Sequence, residues 1–113
     1  MASILVSEAD PDVRQLLIVL MERRGSSAIA LDRNVEIPPR GDLLLLEPAT
    51  GWCVEQARLA RLFFPELPII CMGLRPEGAD FLRDGPVVYL EKPFTVEALE
   101  AAVAVALREA VIG

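Results

Sequence analysis

Three charged side chains stand where chemistry could gather: Glu8, Glu47 and Lys92. Each follows a short apolar run. Ser3-Ile4-Leu5-Val6-Ser7 precedes Glu8, Asp42-Leu43-Leu44-Leu45-Leu46 precedes Glu47, and Val87-Val88-Tyr89-Leu90 comes shortly before Lys92. If the runs are parallel strands, two carboxylates and an ammonium converge at one edge, because ligands in an open α/β sheet collect at the carboxyl ends of the strands. Such a trio can hold a cation, hold an anionic group against the lysine, or pair internally; the plain alternative is a set of solvated loop charges. A fourth run, Pro68-Ile69-Ile70-Cys71-Met72, ends in Gly73, which offers only backbone. The chain has no histidine, which removes the usual imidazole base and metal ligand. No nucleophile–base pair is visible, so an enzyme is not expected.

The element that must position Glu47 is the leucine run itself. Four consecutive leucines leave no polar face, as in a strand covered on both sides in the middle of a parallel sheet. Pro38, Pro39 and Gly41 before the run, with Pro48 and Gly51 after it, leave no room for a helix of ordinary length.

The other elements follow in order. After the first strand, Asp10-Pro11 is a helix start: Asp accepts from orphan N–H groups and Pro loses nothing at the first helical position. The spacing of Val13, Leu16, Leu17, Leu20 and Met21 predicts one buried stripe on a helix from Pro11 to Arg24, with Gly25 in a left-handed cap. Ser27 to Leu31 reads as a second, weak strand. Asp32 to Arg40 carries Pro38 and Pro39 without helical period and is expected to be an irregular crossover. Trp52 to Phe64 reads as a helix with Leu59, Leu62 and Phe63 at compatible spacing, and its apolar face is ambiguous because Trp52 and Phe64 both have claims. Pro76 to Arg83 permits about two turns, and Thr95 caps a last helix running from Val96 towards Val111. Strands alternating with helices predict an α/β fold: a doubly wound parallel sheet of five strands, helices on both faces, in a single domain over residues 1–113.

Composition excludes several classes. A net charge of −6 is a poor match to direct nucleic-acid binding, which leans on Lys and Arg. No stretch has the length of a membrane span, and the start of the chain lacks the layout of a signal peptide. Cys53 and Cys71 have no metal or redox spacing and read as buried thiols in a reducing cytoplasm, where the domain is expected to reside.

Over essentially its whole length the chain resembles a response-regulator receiver domain. The carrying residues are Ile4-Leu5-Val6, Asp10-Pro11-Asp12-Val13-Arg14, Asp42-Leu43-Leu44-Leu45-Leu46, Leu67-Pro68-Ile69-Ile70 and, most specific, Tyr89-Leu90-Glu91-Lys92-Pro93-Phe94. The resemblance implies the strand order 2-1-3-4-5, an order for which a receiver is the standard example. It also implies a phosphoacceptor Asp after the third strand, an acidic pair after the first that holds Mg²⁺, a Ser or Thr after the fourth, a Lys after the fifth and a cis Lys–Pro bond. Carried over residue by residue, the acceptor position is Glu47, the acidic pair is Glu8 and Ala9, the Ser/Thr position is Gly73, the lysine is Lys92 and the switch aromatic is Tyr89. The family's second helix is shortened or absent here, and its fourth is short.

These departures share one physical meaning. Mg²⁺ demands near-octahedral oxygen ligands, and Ala9 supplies none. Glu47 carries its carboxylate one methylene further than Asp, where near-attack geometry tolerates errors of only about 1 Å. Gly73 has no hydroxyl to stabilise transferred charge. The expected reading is a degenerate receiver, or pseudo-receiver. It would act in two-component signal transduction by phosphorylation-independent protein contact, with no cofactor or metal and with Lys92 paired to Glu47. The alternative is a divergent receiver that still takes a phosphoryl group or another small ligand at the strand ends. The contact surface is expected on the first and last helices (one and five in the family), through Ile18, Val19, Ala102, Ala104 and Val105, with a second copy or another protein; no nucleic acid or membrane partner is expected.

Overall fold

The computed structural model describes residues 1–108. Its elements are β1 (Ser3–Ser7), α1 (Pro11–Arg23), β2 (Ser27–Ala30), β3 (Leu43–Leu46), α2 (Gly51–Phe63), β4 (Ile69–Cys71), a 3₁₀ turn (Asp80–Asp84), β5 (Val87–Tyr89) and α3 (Val96–Ala106). All strand pairs are parallel, in the order β2-β1-β3-β4-β5. This is the doubly wound sheet expected from the sequence.

Alternation along the strands builds the two layers. Leu44 and Leu46 of β3 join Leu5, Ile69 and Cys71 in a core with Cys53, Ala57 and Ala60 of α2 and Leu82 of the 3₁₀ turn. Leu43 and Leu45 point the other way, joining Ile4, Val6, Ile70 and Met72 under Leu17 and Met21 of α1 and Leu99 and Val103 of α3. The four leucines are fully buried because β3 carries both cores.

Capping matches the sequence. Asp10 Oδ1 accepts from the N–H groups of Asp12 and Val13 at 2.9 and 3.3 Å, Gly25 has φ +90°, and Thr95 Oγ1 accepts from the Ala98 N–H at 3.0 Å. Between β2 and β3 the chain forms no helix. In place of a second helix, Gln56 on α2 holds the crossover: its Nε2 donates to the carbonyls of Asp32, Arg33 and Val35 at 3.1–3.2 Å.

Four expectations are corrected. First, α1 rests on Leu17 and Met21, one turn apart, flanked by Ile18 and Leu20, which pack against the same core. Leu16, about 100° back from Leu17, is exposed, and Val13 is partly exposed. Second, α2 buries Cys53, Gln56, Ala57, Ala60 and Arg61, while Leu62 and Phe63 face solvent. The buried spacing is the regular i, i+3, i+4, i+7, i+8 of an amphipathic helix, disguised by two polar members. Third, the segment from Pro76 is irregular until the 3₁₀ turn begins at Asp80. Fourth, α3 ends at Ala106, and Arg108 has φ +54°; the remainder of the expected run to Val111 lies outside the described residues.

The buried arginine of α2 ties three segments together. Arg61 Nε donates to the Leu67 carbonyl, Nη1 to those of Phe81 and Leu82, and Nη2 to that of Pro86, at 2.8–3.3 Å. The 3₁₀ turn and the starts of β4 and β5 thus hang on one side chain. Gly85 is required beside it: a Cβ there would lie 2.6 Å from Arg61 Nη1 and 2.8 Å from the Pro65 carbonyl oxygen.

Candidate functional site

Register brings the charged residues level. Ser7 of β1 pairs with Leu46 of β3, so Glu8 and Glu47 leave the sheet side by side. Leu46 pairs with Cys71, and Cys71 with Tyr89, which sets the β4–β5 edge against them. Lys92 then reaches across from beyond β5, and the Lys92–Pro93 bond is cis. Glu8, Ala9, Asp10, Glu47, Thr50 and Lys92 line one open cleft.

Within it, Lys92 Nζ donates to Glu47 Oε2, and the Ala49 N–H donates to Oε1 at 2.8 Å. The glutamate therefore has both oxygens engaged. Its side chain is 10 % exposed and that of Lys92 is 45 % exposed, so solvent screens the pair from one side. Glu8 is buried. Burial pushes its carboxyl above the usual range, and neighbouring Glu47 adds to the rise; the Asp10 N–H and Lys92 pull it back. Arg14 Nη1 donates to the Glu8 backbone carbonyl at 3.3 Å, tying α1 to the site.

The other residues singled out from the sequence fall as follows. Ala9 packs its methyl against the α2-side core. Gly73 has φ +146°, and a Cβ on it would lie 3.2 Å from Pro48 Cγ, so more than a hydroxyl separates this position from serine. Tyr89 is turned outward and exposed. Cys53 and Cys71 are both buried and unpaired, with the Cys71 thiol pushed up to about 11 by burial and then by Glu47. Of the expected contact residues, Val19 and Val105 are exposed, Ala104 is half-buried, Ile18 packs against the core and Ala102 is buried within it. Ala102 is removed from the contact surface because it sits one position before Val103 on the side of α3 that faces the sheet. Leu16, assigned to the core by its spacing, is exposed instead.

A receiver-like fold implies a magnesium ion at this edge, and the side chains do not fit one. Glu47 is committed to Lys92 and the Ala49 N–H, Asp10 caps α1, Ala9 has no oxygen to offer, and Glu8 is the carboxylate left over. Among the described residues no group of three or more His, Cys, Asp or Glu is placed to hold a metal ion.

No protein-family model matches the chain, and no curated protein is a significant match. Solved structures do match. NtrX from Brucella abortus superposes with a TM-score of 0.77 at 20 % identity, over 95 % of this chain and 27 % of that one. The present chain thus spans about a quarter of NtrX. A two-component response regulator from Clostridium difficile gives a TM-score of 0.70 at 24 % identity, over 96 % and 98 % of the two chains. The beryllofluoride-activated NtrC receiver domain gives 0.73 at 19 %, covering 97 % of each. The fold is that of response-regulator receiver domains. No helix among the described residues is long and apolar enough to cross a membrane.

Proposed function

We propose that this chain is a degenerate receiver domain of a two-component response regulator, one that signals by protein contact without being phosphorylated. The observation that carries the reading is the Glu47–Lys92 ion pair. The lysine is bonded to the carboxylate at the acceptor position itself, so both partners that would handle a phosphoryl group are already joined. Ala9 and Gly73 support it by leaving the cation ligand and the hydroxyl donor out of the set. The pair holds the strand-end loops in one arrangement, and the domain offers its partner a fixed surface.

That surface is on the face formed by α1 and α3, carried by Leu16, Val19 and Val105, which are among the exposed apolar residues of those helices. Apolar side chains grouped on neighbouring helices mark contacts where single ones do not. Sedimentation of wild type and Leu16→Glu/Val19→Lys at micromolar concentration tests self-association. A dimer lost in the variant supports the homotypic version, whereas a monomer in both leaves contact only with a different protein. For phosphorylation, incubation with acetyl phosphate and Mg²⁺ followed by intact mass is expected to give no adduct. A stoichiometric phosphoryl adduct would overturn the reading.

A further inference from the structure

The irregular crossover leaves a second hollow at the same end of the sheet, on the β2 side of β1. It is about 350 Å³ and is lined by Arg14 of α1, Trp52 of α2, and Ala30, Leu31, Asp32 and Arg33 at the end of β2. In the order β2-β1-β3-β4-β5 the winding reverses between β1 and β3, and this hollow lies one strand over, at the carboxyl end of β2, bounded by α1 and α2. Its volume falls in the range of small-molecule sites.

We infer that this hollow is a binding site for a small anion that carries a planar ring, a phosphate or carboxylate joined to an aromatic group. Trp52 supplies the aromatic surface on which a ring stacks. Two guanidiniums supply the planar forks that match phosphate or carboxylate oxygens. Their presence runs against the composition: the chain carries 17 acidic and 11 basic residues, yet Asp32 is the single carboxylate in the lining. Asp32 Oδ1 already accepts from the Asn34 N–H at 3.0 Å. Arg33 is exposed and has no acidic partner among the described residues.

The hollow is also held in shape before any ligand arrives. Gln56 is buried and grips the backbone of Asp32 and Arg33 through Nε2, Arg14 is anchored on the Glu8 carbonyl, and Trp52 packs against the core. The Gln56 amide is oriented by its three carbonyl acceptors, because the reverse orientation would set Oε1 against them. Its Oε1 is buried with no hydrogen-bond partner among the described residues, so the grip on the crossover is kept despite an unmet acceptor. A preformed site binds more tightly because less ordering is required on binding.

Trp52 is the only tryptophan in the chain, so its fluorescence reports on this hollow alone. The intact chain is titrated with adenosine 5′-monophosphate and with nicotinate, which join a ring to a phosphate and to a carboxylate. Adenosine and inorganic phosphate supply each half separately. Saturable quenching is expected with at least one of the ring-bearing anions, about tenfold weaker with either half alone, and about tenfold weaker for Arg33→Glu, the size of one lost charge-assisted contact. Arg33 is exposed, so this variant keeps the fold, and Trp52→Leu followed by the amide shifts of Ala30 and Arg33 gives a second reading. No saturable response to either ring-bearing anion overturns the inference. So does unchanged affinity in Arg33→Glu, or shifts confined to Glu8 and Lys92. A phosphoryl adduct at Glu47 would overturn the proposed function and leave this result untouched.

Discussion

Replacing Arg61 with Met tests whether a single buried guanidinium holds the β4–β5 half of the domain. Met keeps the length and apolar stem of the side chain and removes every donor. Four carbonyls then lose this donor; that of Pro86 keeps the Ile69 N–H, and the bonds to Leu67 and Leu82 are the buried ones. A buried acceptor without a donor costs about 1–3 kcal/mol. Burial opposes the charge and lowers the guanidinium pKa, with Asp84 and Glu66 acting the other way, so removing the charge offsets part of the loss. The net destabilisation expected for Arg61→Met is about 2–4 kcal/mol, and Arg61→Lys should lose roughly half of that, because an ammonium donates from a point rather than a fork. Urea unfolding at neutral pH measures both: the midpoint should fall without a change in slope. Gly85→Ala completes the test, since its Cβ would strike both Arg61 and the Pro65 carbonyl. It should cost less in the Arg61→Met background than in wild type, a coupling read from the double-mutant cycle. A loss below about 0.5 kcal/mol for Arg61→Met, or strict additivity with Gly85→Ala, would show that Arg61 does not hold this half of the domain.

Three further outcomes are expected. Glu8 has a raised folded-state pKa, so the native state binds the proton more readily than the unfolded one. Stability then falls as pH rises from the ordinary value of 4.5 through the raised one. Glu8→Gln should therefore be more stable than wild type at neutral pH, with the gain vanishing below about pH 4.5; denaturant melts across this range check it. Lys92→Met should change stability by no more than about 1 kcal/mol, because a half-exposed ion pair is screened, and a larger loss in the same melts would show the pair to be a main support of the fold. Gly73→Ser should destabilise by about 1–3 kcal/mol without restoring phosphorylation, since φ +146° strains any side chain; melts and intact mass after acetyl phosphate read the two parts.

Much of this was legible from residue types. The leucines of β3 declare a strand buried on both faces, and the runs before Glu8, Glu47 and Lys92 fix the edge at which those residues meet. Asp10-Pro11 marks the start of α1, and Pro38-Pro39 rules out a helix in the crossover. The face of α2 was not legible, because burial of Gln56 and Arg61 depends on carbonyls supplied by distant segments, 20 or more residues away in all but one case. The exchange of Leu16 for Ile18 in α1 has a similar origin: several apolar positions compete, and the tilt of the helix on the sheet decides among them. Arg14 and Arg33 carried no pattern linking them to Trp52, since only the missing second helix brings the three around one hollow.

At the strand-end cleft, Glu47 is engaged by Lys92 and by the Ala49 N–H. Amide NMR of the chain titrated with Mg²⁺ to millimolar concentration, then with beryllofluoride, tests this engagement most directly. The amides of Glu8, Glu47, Gly73 and Lys92 should stay in place through both additions. Saturable shifts at these four positions, with beryllofluoride requiring Mg²⁺, would contradict it.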